Sequence, residues 1–149
     1  RWLDQCPGQR PPVAYPLSGV PHIFNSFESF ERAMATFDSP MHGLEFCHGC
    51  WSEMRGGEGV LEAIRFFGKR IVYVHFRDVI GTADDFTECF LGDGNCDPVA
   101  SIRALKEAGF HGFVMPDHVP NMVDDTEWGH RGRALAVGYI QGLLAAVTA

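Results

Sequence analysis

The chain has 149 residues, 46% of them hydrophobic and 21% charged, ordinary globular usage with material for a real core, so disorder is not expected. A formal net charge of −7 without any Lys/Arg run removes the electrostatic basis for binding nucleic acid or an anionic membrane and favours a small-molecule partner. No apolar stretch approaches the roughly 20 residues of a membrane span, and Arg1-Trp2-Leu3-Asp4-Gln5 is no charged lead into an apolar segment, so a soluble, cytoplasmic chain is expected.

Residues 1–21 hold Pro7, Gly8, Pro11, Pro12, Pro16, Gly19 and Pro21, a density that favours irregular backbone. Asn25 with Glu28 forms a capping-box pattern, and Phe27, Phe30, Ala33, Met34 and Phe37 recur at helical spacing before Ser39-Pro40. Gly43-Leu44-Glu45-Phe46-Cys47 reads as a strand, and Val60, Leu61, Ile64 and Phe67 as a helical stripe stopped by Gly68. Ile71-Val72-Tyr73-Val74-His75-Phe76 is nearly continuous β-branched and aromatic sequence, the mark of a parallel strand buried on both faces.

Asp97 as N-cap, Pro98 at the first helical position, the apolar Val99, Ile102 and Leu105, and Gly109 as terminator predict a helix. Gly112-Phe113-Val114-Met115-Pro116 gives a further strand, and Arg131 to Val147, with Leu135, Tyr139, Leu143 and Leu144, a closing helix. Strands alternating with helices imply βαβ units around a parallel sheet in one domain spanning residues 1–149, with the βα units in 22–149. In such sheets function gathers beyond the carboxyl ends of the strands.

Each of the three strands ends in a metal-capable residue: Cys47, His75 and Asp117. Singly each has a bland reading, a core residue or a turn cap. Together they fall at one end of consecutive parallel strands, which favours a metal site. Thiolate, imidazole and carboxylate suit Mn²⁺, Fe²⁺ or Zn²⁺ better than Ca²⁺ or Mg²⁺.

His118, beside Asp117, is placed to move protons or else only to orient its loop. Arg77 and Asp78 follow His75 at the strand end; Arg77 either grips a substrate carboxylate or ties strand ends together as an ion pair. Glu88, Asp93 and Asp97 mark an acidic loop, read as solvated or as a substrate lid.

The five cysteines, Cys6, Cys47, Cys50, Cys89 and Cys96, do not form a small disulfide framework and are expected to be mostly reduced. Cys47-His48-Gly49-Cys50 also matches C-x-x-C. A zinc knuckle lacks its second pair, and against a redox pair stands Arg55-Gly56-Gly57, where a helix beginning promptly after Cys47 would be interrupted.

Gly43-Leu44-Glu45-Phe46-Cys47-His48-Gly49, Val74-His75-Phe76-Arg77-Asp78-Val79 and Pro116-Asp117-His118, in that order and at similar separations, resemble the signatures of the mannonate dehydratase family. The resemblance implies an α/β fold, the C-terminal half of a xylose-isomerase-like (βα)₈ TIM barrel with parallel strands and outer helices. It implies a hydro-lyase of hexuronate breakdown that dehydrates the sugar acid D-mannonate to 2-keto-3-deoxy-D-gluconate with Mn²⁺ or Fe²⁺. By motif, Cys47, His75 and Asp117 would be ligands and His118 the catalytic acid/base. Two departures stand out: Cys6-Pro7-Gly8-Gln9-Arg10-Pro11-Pro12 holds no histidine where the family has a further ligand, and Trp128 stands in the place of a tyrosine.

A complete barrel takes about 250 residues. The chain is therefore expected to form a homo-oligomer or to be completed by an N-terminal half. A related sugar isomerase or epimerase, and a degenerate barrel that serves only in binding, are the alternative readings.

Overall fold

The structure, a computed structural model, describes residues 12–148. Helix α1 (Phe27–Ala35) is followed by strand β1 (Leu44–Cys47), helix α2 (His48–Phe67), a 3₁₀ turn at Gly68–Arg70 and strand β2 (Ile71–His75). Strands β3 (Asp78–Thr82) and β4 (Asp85–Cys89), helix α3 (Pro98–Glu107), strand β5 (Phe113–Met115) and helix α4 (His130–Thr148) complete the order.

The first helix starts one residue later than Asn25 and Glu28 suggest. Ser26, in extended backbone, is the N-cap, and its side chain and that of Ser29 cap each other reciprocally at 3.2 Å. Asn25 instead donates to the carbonyl of Val13 at 3.2 Å.

The stripe expected to begin near Val60 is the second half of a longer helix. α2 opens directly after β1, with Cys47 as N-cap accepting from the Cys50 amide at 3.4 Å. Gly56, at φ 68°, kinks it; a left-handed residue that glycine adopts without steric cost turns the chain between two helical segments. The Gly-Gly pair therefore bends this helix and does not delay its start.

β1, β2 and β5 form a parallel sheet in the order β1-β2-β5, with Cys47 opposite His75 and His75 opposite Met115. Successive strand side chains point to opposite faces. Leu44, Phe46, Val74 and Phe76 face the helices and join Trp51, Val60, Ile64, Phe67, Ile102 and Leu105 in the core. Trp51 is fully buried and stacks on Phe46 at 5.6 Å between ring centres. The opposite face carries Glu45, Cys47, Tyr73, His75, Phe113 and Met115, and there Phe113 is 76% exposed.

The segment expected to be a solvated acidic loop or lid is partly a hairpin. β3 and β4 pair antiparallel across the two-residue turn Ala83–Asp84, and Ala83 donates its amide to the carbonyl of Glu53 on α2 at 3.0 Å. α3 matches its caps: Asp97 accepts from the Val99 and Ala100 amides at 2.9 and 3.0 Å, a device worth about 1 kcal/mol. Among the described residues no helix is long and apolar enough to cross a membrane.

Candidate metal centre

Cys47 closes β1, His75 closes β2, and Asp117 lies two residues beyond the end of β5. Because the strands are parallel and in register, these positions share one rim and one face of the sheet. One donor atom from each lies within 4.8 Å of the others. The Cys47 thiol is 3.9 Å from Asp117 Oδ2, and His75 Nδ1 is 3.8 Å from the same oxygen. A cation with bonds of about 2.0–2.3 Å spans ligand pairs up to about 4.5 Å, so the three close on one ion with a few tenths of an ångström of adjustment. Thiolate, imidazole and carboxylate, part buried at a strand-end rim, fit a divalent transition metal.

Glu45, on the same strand face as Cys47, places Oε1 2.9 Å from His75 Nδ1. That carboxylate places negative charge beside the nitrogen that also faces Asp117. The period-2 spacing Glu45-Phe46-Cys47 could have revealed it, since residues two apart in a strand share a face.

Arg77 sits within a network of ion pairs. It is 5% exposed, and its nitrogens reach Asp117 Oδ2 at 3.2 Å, Glu88 Oε1 at 3.1 Å, Glu53 Oε1 at 2.7 Å and Cys50 Sγ at 3.3 Å. Burial works against its charge, but the Cys47 and Cys50 thiols and the Glu53 and Glu88 carboxylates outweigh that and push its pKa above the ordinary guanidinium value. Burial pushes the Glu53 carboxyl up, and Arg77 offsets part of that rise. The guanidinium thus lies in an ion-pair network that includes the candidate ligand Asp117.

Asp78 follows Arg77 in the chain. Its carboxylate is buried and accepts from the Val79 amide at 3.0 Å and the Gly94 amide at 3.2 Å, so it anchors the hairpin to the loop before α3.

His118 sits at the rim with its side chain 44% exposed, Nδ1 3.1 Å from Glu88 Oε1 and Nε2 3.6 Å from Asp117 Oδ1. The Glu88 hydrogen bond raises its pKa above the usual imidazole value despite some burial. His118 also lines a cavity of about 270 Å³, together with Phe76, Cys89, Asp93, Leu135 and Tyr139.

His48 and Gly49 prepare the first turn of α2. His48 is buried, pairs with the Arg77 carbonyl at 2.8 Å and Ser101 Oγ at 2.9 Å, and packs on Phe76; burial lowers its pKa and keeps the ring neutral. A Cβ at Gly49 would lie 2.3 Å from Arg77 Nη1, so only glycine lets the guanidinium lie across this turn. Sequence reasoning passed over Glu45, Glu53 and these two residues, and Glu53 carries no local signal at all. The segment lacking the family's further histidine lies largely outside the described residues, and Trp128 is exposed before α4.

The D-mannonate dehydratase (UxuA) family profile matches residues 7–149. The chain belongs to this family. It is 32% identical over 135 residues to mannonate dehydratase 1 of Halalkalibacterium halodurans, covering 87% of this chain and 37% of that protein. It is also 32% identical over 143 residues to the mannonate dehydratase of Oceanobacillus iheyensis, covering 88% and 39%. The crystal structure of mannonate dehydratase from Streptococcus suis serotype 2 superposes with a TM-score of 0.79 at 29% identity, over 92% of this chain and 41% of that one. A xylose isomerase domain protein from Alicyclobacillus acidocaldarius matches with a TM-score of 0.66 at 20% identity, over 87% and 46%, a likeness of fold alone. The fold is thus part of a xylose-isomerase-like TIM barrel, and the mannonate dehydratase family chain spans about two fifths of the length of the relatives it matches.

Proposed function

We propose that this chain supplies the metal-binding rim of a mannonate dehydratase, a hydro-lyase that converts D-mannonate to 2-keto-3-deoxy-D-gluconate in hexuronate breakdown. The observation that carries the reading is the convergence of Cys47, His75 and Asp117 within 4.8 Å at one rim. These residues would hold Mn²⁺ or Fe²⁺, with Zn²⁺ also compatible with the donor set. The bound ion supplies positive charge against the negative charge that develops on the sugar acid as its C2 proton leaves.

The chain's own residues do the rest. Glu45 adds negative charge beside His75, and Arg77 orients Asp117 from the protein side. His118, exposed at the rim and backed by Glu88, is the group that moves a proton: it takes the C2 proton as a base or delivers one to the departing C3 hydroxyl as an acid. The open face with Phe113 and Met115 needs the remaining barrel strands, from a second copy of the chain or from an N-terminal half, to exclude water from this rim.

The test is a titration of the purified protein with Mn²⁺ and Fe²⁺, then incubation with D-mannonate and assay for a 2-keto acid, with ketoses as the isomerase control. Binding of one ion per chain and product from mannonate alone is expected. No bound transition metal and no change of stability with chelator would support the non-catalytic alternative, and a monodisperse monomer in sedimentation would contradict assembly from copies.

A further inference from the structure

The C-x-x-C motif at Cys47-His48-Gly49-Cys50 is not used up by the metal reading, which needs only its first thiol. The objection that a helix does not follow promptly fails in the structure, because α2 begins at His48 with Cys47 as its N-cap. That is the placement in which the two thiols of a C-x-x-C share one helical turn.

The geometry sets Cys47 and Cys50 on the same first turn of α2. Cys47 Sγ folds back over the turn to within 3.4 Å of the Cys50 amide. It also lies 3.9 Å from Asp117 Oδ2, which bonds Arg77 Nε at 3.2 Å, while Nη2 of the same Arg77 lies 3.3 Å from Cys50 Sγ. Arg77 thus touches Cys50 directly and reaches Cys47 through Asp117, and Gly49 between the two cysteines is what lets the guanidinium lie across the turn. Side chains three apart on a helix have Cβ atoms about 5–6 Å apart, and a disulfide asks for about 3.5–4.5 Å. Closure therefore needs the backbone of the first turn to tighten by roughly an ångström, with both χ1 angles then turning the sulfurs together.

We propose that Cys47 and Cys50 form a reversible dithiol/disulfide pair, oxidised by a small peroxide, whose disulfide form removes Cys47 from the metal site. The metal half of this statement rests on the proposed function; the disulfide half does not. Both cysteines are buried, which selects an oxidant as small as hydrogen peroxide, and Cys47 borders the partly exposed His75 and Asp117 side chains at the rim.

The chemistry closes without further reactants. The Cys47 sulfur attacks one peroxide oxygen, the O–O bond breaks, and sulfenic acid and water form. The Cys50 sulfur then attacks the sulfenic sulfur, the S–S bond forms, and the hydroxyl leaves with the Cys50 proton as a second water. Two thiols lose two hydrogens and two electrons, which peroxide accepts. Only a thiolate ligates a metal, so the disulfide cannot hold the ion.

The test uses the purified chain, freed of metal with chelator and treated with hydrogen peroxide, followed by alkylation, digestion and mass spectrometry. The expected result is a peptide spanning Cys47 and Cys50 that is about 2 Da lighter, unalkylated and restored by dithiothreitol. Titration with Mn²⁺ should show affinity reduced by more than about tenfold in the oxidised protein and recovered on reduction. Cys50→Ser should bind Mn²⁺ like the parent when reduced, yet gain oxygen at Cys47 in place of the 2 Da loss. A disulfide from either thiol to Cys6, Cys89 or Cys96, or no 2 Da loss at all, overturns the pairing. Unchanged Mn²⁺ affinity in a protein carrying the 47–50 disulfide overturns the competition. Failure of the reduced parent to bind Mn²⁺ sinks the functional reading instead, and the mass measurement separates the two.

Discussion

Oε1 of Glu45 lies 2.9 Å from Nδ1 of His75, the two side chains standing on the same face of adjacent parallel strands. A carboxylate this close adds negative charge beside the candidate ligands and so favours a cation there. Glu45→Gln should lower Mn²⁺ affinity by about 10–100-fold with little change in fold. Isothermal titration beside a circular dichroism spectrum checks it, and unchanged affinity would remove Glu45 from the site.

The three candidate ligands should be far less forgiving. Cys47→Ser and His75→Ala should each strip the protein of bound metal. Elemental analysis reads this directly, and full metal content in either variant counts against the centre.

Arg77 and Glu53 form a buried pair at 2.7 Å, with side chains 5% and 1% exposed. Arg77→Met leaves Glu53 buried without its cation, a loss of about 3–5 kcal/mol. Adding Glu53→Gln should recover part of it, because the stranded charge is gone. Urea unfolding of both singles and the double gives the coupling; strict additivity would contradict the pairing.

Trp51 is fully buried against Phe46, Phe30 and Phe67. Trp51→Ala should destabilise by about 3–5 kcal/mol through the cavity it leaves. A shift of less than about 1 kcal/mol in urea unfolding would mean the cluster is not the core.

The pH dependence at the alkaline end follows from Cys96. Burial, with the nearby Asp78 charge, pushes its thiol up to about 12 from the ordinary value of about 9. The folded state keeps a proton that the unfolded state gives up, so stability is intact below about pH 9 and is lost as pH rises toward about 12, at up to about 1.4 kcal/mol per pH unit. Cys89, raised to about 11, adds to the trend. Cys96→Ala should flatten it; urea midpoints measured from pH 8 to 11 are the check.

The strands β1, β2 and β5 and helix α3 were legible because their signals are local: β-branched runs, and Asp-Pro opening a helix that Gly109 closes. The shared rim of Cys47, His75 and Asp117 followed from parallel topology. The β3–β4 hairpin was not legible, since Ala83–Asp84 lacks the Asn-Gly or Asp-Gly signature of tight hairpins, and its support from the Glu53 carbonyl is a long-range contact. The same limit hid the fate of Arg77. Its neighbours Glu53, Glu88 and Asp117 come from a helix, a hairpin and a loop that only the tertiary fold assembles.

Cys47 and Asp117 are 70 residues apart in sequence and meet only when three separate strands have paired. No local fragment can reproduce that meeting, and the loop-closure entropy it consumes is released again if any one strand detaches. An ion held there would act as a proofreader of chain assembly: it loads onto completed molecules, passes over half-folded ones, and deepens the energy well of the finished form with the logarithm of its own concentration.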